Sequence, residues 1–206
     1  TRWRARAPRP LMQALDILAI GEAMVEFNQA RREDPRAYVQ GFGGDTSNTA
    51  IAAARLGAHA GYATRVGDDV FGRWLLALWR DEGVDTRAVA VDADAPTGIY
   101  FVSHGENGHE FSYRREGSAA SRMRASTLPM DALRATRVLH LSAISQAISA
   151  TAAEACAAAI DAARGAGAMV CYDTNLRLKL WPLPRAREVI RATMRDIDWA
   201  LPGLDD

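Results

Sequence analysis

The sequence contains few cysteines, and neither they nor the histidines are spaced as metal ligands. Only two cysteines, Cys156 and Cys171, occur among the 206 residues, and they do not form a CxxC motif. The four histidines form no metal-binding pair with them or with each other. The sequence therefore predicts neither a metal site nor a disulfide framework, and we expect reduced thiols, as in a cytoplasmic protein.

The sequence also lacks long apolar runs and a dominant sign of charge. No run approaches the roughly 20 apolar residues that span a bilayer, so we expect no membrane partner. Lys and Arg total 25, and Asp and Glu also total 25, which gives a formal net charge of +0. Because this composition produces no global positive field, we expect no nucleic-acid partner.

Three common motifs of nucleotide-binding proteins and hydrolases are missing. The sequence has no GxGxxG fingerprint, no GK[ST] of a Walker A loop and no GxSxG nucleophile motif. These absences argue against a dinucleotide-binding protein, a P-loop protein and a serine hydrolase.

The residues that are present indicate a folded α/β domain. Hydrophobic residues make up 49% of the chain and charged residues 24%, which is ordinary for globular domains. Residues 1–15 carry arginines but no acid, and we expect them to form a disordered basic extension. From residue 16 onward, short apolar runs alternate with helical patterns, as in a parallel sheet covered on both faces.

The pattern assigns most of the chain to regular elements. It predicts strands at 16–20, 60–66, 138–142 and 168–172, and helices at 46–56, 69–82, 150–164 and 184–196. Residues 199–201 are predicted to be a buried strand. Two segments near 36–42 and 98–115 alternate like strands but lack a crossover helix, which predicts a small separate sheet lying as a lid over the main one.

The loop at 41–48 combines glycines with polar side chains at the start of a predicted helix. Its glycines would let the backbone approach a ligand, and Asp45 and Asn48 could bind the hydroxyl groups of a polyhydroxylated or anionic ligand. Simple capping of the helix by a side chain of residues 45–47 explains the same pattern equally well.

Two further segments carry arginines beside other polar groups. Tyr100 and residues 111–115 of the lid could bind a sugar and a carboxylate, although an edge strand with solvated arginines is the simpler interpretation. The loop at 173–177 places Asp173, Asn175 and Arg177 after an apolar strand, where ligands bind in α/β sheets. A local turn stabilised by Asp173 and Asn175 is the alternative.

Several motifs resemble one enzyme family. GGDTSNTA (43–50) and RVGDD (65–69) resemble the first signature of the ribokinase-like (PfkB) carbohydrate kinases. GEAMVE (21–26), FSYRR (111–115) and DTNLRLKLW (173–181) are similar to one subgroup of that family, the 2-keto-3-deoxygluconate kinases. The resemblance extends over residues 16–206.

The resemblance implies a ribokinase-like three-layer α/β sandwich with a mostly parallel sheet and a small β lid. It implies ATP-dependent phosphorylation of the terminal hydroxyl of 2-dehydro-3-deoxy-D-gluconate with Mg²⁺, and a homo-oligomer formed through the lid. The implied substrate-binding residues are Gly44, Asp45, Asn48, Tyr100, Tyr113, Arg114, Arg115 and Arg177. The residues implied to lie at the nucleotide phosphates are Asn175 and Arg177.

The resemblance covers the N-terminal two-thirds of the family fold, which is thus incomplete at the C terminus. The general-base aspartate of the family's GAGD-type motif would lie beyond Asp206, so no catalytic or metal-ligating residue is assigned. We therefore expect this chain by itself to lack kinase activity. A kinase of another sugar, such as fructose or ribose, and a non-catalytic sugar-acid-binding protein are the alternatives. The arginines at 114, 115 and 177 favour an acidic substrate.

Overall fold

The computed structural model describes residues 14–31, 33–105 and 108–204. In these ranges the chain forms a six-stranded sheet with helices on both faces and a separate four-stranded sheet. This arrangement confirms the predicted α/β class. Residues 1–13 of the predicted basic extension lie outside the described residues, whereas Leu15 already belongs to the first strand and is buried.

The main sheet is built from parallel strands. They are β1 (Leu15–Ile20), β4 (Ala60–Gly67), β5 (Val89–Asp92), β8 (Thr136–Ser142), β9 (Met169–Asp173) and β10 (Trp199–Leu201). Their spatial order is β10-β9-β8-β1-β4-β5, and every neighbouring pair is parallel. Because the strands are parallel, their carboxyl ends meet at one edge of the sheet, where the following loops are brought together.

Helices cover this sheet on both faces. They are α1 (Asp45–Arg55), α2 (Val70–Asp81), α3 (Met130–Ala135), α4 (Ala143–Ala147), α5 (Ala150–Gly165) and α6 (Leu183–Thr193). Successive β1 residues point to opposite faces, so Leu18 packs with α5 while Ala19 packs with Trp79 of α2. No helix in the described ranges is both long enough and apolar enough to cross a membrane.

Asp69 connects the start of α2 to the loop that follows β5. Its carboxylate accepts a hydrogen bond of 2.7 Å from the Gly72 N–H, as an N-cap residue does. It also accepts bonds of 2.7 and 2.8 Å from the backbone N–H and the hydroxyl of Thr97. One side chain therefore fixes both the helix start and the neighbouring loop.

The four-stranded sheet, which we call the lid, consists of β2 (Met24–Arg31), β3 (Asp34–Gly43), β6 (Ile99–Gly105) and β7 (Gly108–Arg114). Their order is β3-β2-β6-β7; β2 and β6 are parallel, and the other pairs are antiparallel. The strands β3, β6 and β7 occur where the sequence alternates. The strand β2 is not predicted, because only the three residues 21–23 separate it from β1.

The prediction that residues 199–201 are buried is wrong. They form β10, but this strand lies at the edge of the main sheet, and among the described residues it pairs with β9 alone. Trp199 is 51% exposed and Leu201 is 50% exposed. Apolar composition therefore predicts the strand correctly here, but it does not show whether another element covers it.

Candidate active site

A cavity of about 480 Å³ lies between the lid and the carboxyl end of the main sheet. Its walls come from the loops after β1 and β9, the first turns of α1 and α4, the strands β6 and β7, and the residues that follow β7. This edge is where open parallel sheets bind ligands. Of the residues singled out in the sequence, those that line the cavity are Gly44, Asp45, Asn48, Tyr100, Tyr113, Arg115, Asn175 and Arg177.

Gly44 brings the start of α1 against the loop that follows β1. Its φ is +124°, and a Cβ at this position would lie 2.5 Å from the carbonyl oxygen of Glu22 and 2.9 Å from the Cα of Ala23. Both neighbours are backbone atoms, which no change of rotamer can move away. Glycine is therefore required here for its backbone angle and for the close approach.

The simple-capping interpretation of the 41–48 loop is wrong. The N-cap of α1 is Gly44 rather than a residue of 45–47, and a glycine makes no side-chain cap bond. The Thr46 hydroxyl instead lies 3.2 Å from the Tyr62 hydroxyl, and the Ser47 hydroxyl accepts a hydrogen bond of 2.9 Å from Trp79 Nε1. Both hydroxyls are buried and used in the core, which leaves Asp45 and Asn48 as the polar side chains that this turn presents to the cavity.

Asp45 and Asn175 come together from distant parts of the chain. Asn175 Nδ2 donates a hydrogen bond of 2.9 Å to Asp45 Oδ2, and the Thr46 N–H donates one of 2.8 Å to Asp45 Oδ1. Asn175 has a φ of +24°, an uncommon backbone angle for a residue other than glycine. A carboxylate and an amide side by side can accept and donate hydrogen bonds to the hydroxyl groups of a sugar.

Aromatic rings of the lid form another wall of the cavity. The Tyr113 ring is stacked on Tyr100 and on Phe111, with centroid separations of 5.7 and 6.3 Å. The Tyr100 hydroxyl donates a hydrogen bond to Glu26 Oε2. Burial raises the pKa of Tyr100, and the hydrogen bond to Glu26 raises it further. Because the hydroxyl hydrogen of Tyr100 is directed at Glu26, the hydroxyl oxygen is left to accept a hydrogen bond from a ligand.

A buried ion pair connects the loop after β1 with the residue that follows β7. Glu22 is 2% exposed; its Oε2 contacts the Arg115 guanidinium, and its Oε1 accepts a hydrogen bond of 2.7 Å from the Ser118 hydroxyl. Burial raises the pKa of Glu22, although Arg115 and Ser118 act in the opposite direction. The Arg115 guanidinium also lies 5.8 Å from the centroid of the Tyr113 ring. Glu22 thus holds Arg115 in place and compensates its charge before any ligand enters.

Arg114 does not line the cavity, so the structure corrects its expected place in the site. Successive side chains of β7 point to opposite faces, and Tyr113 rather than Arg114 lines the cavity. Arg114 lies in a separate depression beside Asp69 and Phe71, and its Nη1 donates a hydrogen bond of 2.9 Å to the Tyr113 carbonyl. Of the two adjacent arginines, Arg115 is the one that belongs to the cavity.

The segment after β9 presents two exposed cations to the cavity. Arg177 Nη1 donates a hydrogen bond of 2.9 Å to the Leu176 carbonyl, and Lys179 lines the same wall. Throughout the described residues, the ion pairs involve neither Arg177 nor Lys179. Neither cation therefore has a carboxylate oxygen within 4 Å in this part of the chain.

Sequence reasoning missed Glu22 and Lys179 as residues of the site. Glu22 lies in the GEAMVE motif, so the family resemblance was the one signal that could have pointed to it. Lys179 lies in an irregular segment and fits no periodic pattern. In the described ranges, no group of three or more His, Cys, Asp or Glu side chains is arranged to hold a metal ion.

Comparison with known proteins identifies the family. The family model for pfkB family carbohydrate kinases matches residues 14–206. The chain belongs to this family. A crystal structure of a PfkB protein from Polaromonas sp. JS666 superposes on it with a TM-score of 0.87 at 37% sequence identity, covering 93% of this chain and 66% of that one.

Two named relatives within the pfkB family differ in substrate. Fructokinase-1 of Oryza sativa subsp. japonica is 36% identical over 191 residues, which is 88% of this chain and 56% of the relative. The 2-dehydro-3-deoxygluconokinase of Thermoproteus tenax is 34% identical over 194 residues, which is 90% of this chain and 58% of the relative. The chain thus spans slightly more than half the length of these curated relatives.

Proposed function

We propose that the whole protein is a sugar-acid kinase that transfers a phosphoryl group from ATP, with Mg²⁺, to the terminal hydroxyl of 2-dehydro-3-deoxy-D-gluconate, and that this chain supplies its sugar-binding part. The observation that carries the proposal is one cavity that combines hydroxyl-binding groups with cations. Membership of the pfkB family supports the reaction class. The similarity to the 2-dehydro-3-deoxygluconokinase of Thermoproteus tenax supports the substrate class.

The cavity offers a partner for each chemical part of a sugar acid. Asp45 and Asn48 bind its hydroxyl groups from the first turn of α1, and the Tyr100 oxygen accepts a hydrogen bond from another hydroxyl. The rings of Phe111 and Tyr113 cover the apolar face of its carbon chain. Arg177 binds the carboxylate, because a guanidinium matches a carboxylate with two parallel hydrogen bonds.

The residues at the edge of the cavity also suit the phosphates of ATP, which supplies the group that is transferred. Asn175 and Arg177 donate N–H groups that fit phosphate oxygens, and Arg177 has a charge to offer them. Phosphoryl transfer depends mainly on positioning and on stabilisation of charge. In this proposal the described part of the chain therefore contributes orientation of the sugar and attraction of anionic groups.

Fructose is the alternative substrate. The similarity to Fructokinase-1 of Oryza sativa subsp. japonica, at 36% identity, favours it. A neutral sugar, however, offers no anion to Arg177 in the complex of protein and sugar alone, before ATP binds. We therefore place the sugar acid first.

Isothermal titration calorimetry of the chain with 2-dehydro-3-deoxy-D-gluconate and with fructose tests the proposal. We expect the sugar acid to bind at least roughly tenfold more tightly than fructose, and Arg177→Ala to weaken its binding by a similar factor. Arg185→Ala is the matched control, because Arg185 is exposed on α6 and pairs with Glu188 away from the cavity. Tighter binding of fructose would support the alternative, and failure of the sugar acid to bind would refute the proposal.

A further inference from the structure

The charges that line the cavity are balanced in number but not in position. The carboxylates are those of Glu22, Asp45 and Glu116, and the cations are those of Arg115, Arg177 and Lys179. Glu22 and Arg115 form the buried ion pair described above, and Glu116 directly follows Arg115 in the chain. The acids and the compensated arginine therefore lie where the chain enters and leaves the lid and at the start of α1.

The segment after β9 carries the two cations that have no ion-pair partner in the described ranges. Residues 174–182, which follow β9, contain Arg177 and Lys179 but no Asp or Glu. Both side chains line the cavity, both are exposed, and neither takes part in an ion pair within the described ranges. A positive charge without a partner attracts an anionic group of a ligand more strongly than it attracts a neutral one.

We propose that Lys179 acts with Arg177 to bind the carboxylate of the sugar acid, and that Lys179 determines the preference for a sugar acid over a neutral sugar. This inference rests on the proposed function. The flexible ammonium group of Lys179 is a point charge, whereas Arg177 presents a planar fork, so the two can approach one carboxylate from different sides. Arg115 cannot take this role equally well, because its charge is already compensated by Glu22.

Calorimetry on matched variants tests the assignment. In Lys179→Met we expect the affinity for 2-dehydro-3-deoxy-D-gluconate to fall roughly tenfold, with less than roughly a twofold change for fructose. Lys179→Arg keeps the charge and should restore most of the affinity for the sugar acid. Arg185→Met removes the same charge from the exposed surface of α6 and should change neither affinity.

Mg²⁺-ATP, used as a third ligand, tests whether Lys179 binds the carboxylate of the sugar acid or the phosphates of the nucleotide. If Lys179→Met lowers the affinity for Mg²⁺-ATP and leaves that for the sugar acid unchanged, Lys179 serves the nucleotide and the proposal is wrong. An equal loss of affinity for the sugar acid and for fructose would also overturn it, because a specificity residue must act on one of them selectively.

The sequence offers an independent measurement, because Lys179 is the only lysine among the 206 residues. Acetylation followed by mass spectrometry of the peptide that contains residue 179 reports on a single ε-amino group. We expect 2-dehydro-3-deoxy-D-gluconate to slow this acetylation at least roughly fivefold and fructose to leave it unchanged. Acetylation of the terminal amino group serves as the internal reference.

The outcomes distinguish failure of this inference from failure of the proposed function. If the unaltered chain does not bind the sugar acid, the proposed function fails and the inference fails with it. If the unaltered chain binds the sugar acid, but Lys179→Met binds it equally well and the ligand gives no protection from acetylation, only the inference is overturned.

Discussion

Gly44→Ala is the substitution for which the structure makes the sharpest stability prediction. A side chain at φ = +124° costs about 1–2 kcal/mol in backbone strain, of which about 0.4–1 kcal/mol is offset by the lower entropy of the unfolded chain. The new Cβ would lie 2.5 Å from the Glu22 carbonyl oxygen, and relieving such overpacking costs about another 1–3 kcal/mol. We therefore expect a loss of about 2–4 kcal/mol in the free energy of unfolding.

Gly57→Ala is the control at the other end of the same helix. Gly57 also has a positive φ, of 91°, but a Cβ there would have no atom within 4 Å. This variant should therefore show the backbone strain alone, about 1 kcal/mol. The difference between the two variants isolates the contact of residue 44 with the loop after β1.

Urea denaturation followed by circular dichroism, supported by thermal melts, measures this difference. About 1 kcal/mol corresponds to about 2–4 °C in Tm for a domain of this size, so Gly44→Ala should melt several degrees below Gly57→Ala. Equal losses in the two variants would refute the argument, because they would mean that the backbone angle alone matters and that the close approach to Glu22 does not.

Two further predictions concern buried and capping carboxylates. Glu22→Leu leaves the Arg115 charge buried without its partner and should cost about 3–5 kcal/mol in the free energy of unfolding. Arg114→Leu, on the exposed side, is the control and should cost less than about 1 kcal/mol. Similar losses of the two variants in urea denaturation would contradict this interpretation of the ion pair. For Asp69, burial raises the pKa, but hydrogen bonds from backbone N–H groups and a hydroxyl lower it more, so its pKa in the folded protein lies below the ordinary Asp value. Because the folded pKa lies below the unfolded one, this carboxylate stabilises the fold above the ordinary Asp pKa, and the contribution is lost as the pH falls through the folded value. Asp69→Asn should therefore lose about 1 kcal/mol in the free energy of unfolding at neutral pH, and its stability should fall less steeply on acidification than that of the unaltered chain. Asp68, whose side chain is 62% exposed, provides the control, and Asp68→Asn should follow the unaltered chain in a pH series. Parallel acid profiles for the two variants would contradict the role of Asp69 as a cap.

The order of the main elements could be predicted from the sequence, because short apolar runs alternate regularly with segments in which the apolar residues have helical spacing. Each strand is a short apolar run and each helix an amphipathic or alanine-rich one, so the parallel sheet follows from the length of the crossovers. The same topology explains why loop residues as far apart as Asp45 and Asn175 lie within a hydrogen bond of each other. Such a contact follows from the shared carboxyl edge of the sheet rather than from any local motif.

The details that the sequence could not supply depend on single-residue geometry. Arg114 and Arg115 are adjacent and chemically identical, and only the alternation of β7 decides which of them reaches the cavity. Glu22 is a polar residue between two strands, and nothing in its local pattern shows that it is buried against Arg115. The exposure of Trp199 depends on which elements lie beside β10, which apolar composition cannot report.

The lid is joined to the main body by four chain crossings, and all of them meet at the cavity wall. The first crossing contains Glu22, the second Gly44 and the fourth Arg115, while a Cβ at Gly98 in the third would lie 3.0 Å from Glu22 Oε1. The segments that connect the lid to the main body therefore also form part of the cavity wall. A rotation of the lid must therefore deform the cavity. A ligand that contacts both sheets stabilises the lid orientation to which it binds more tightly.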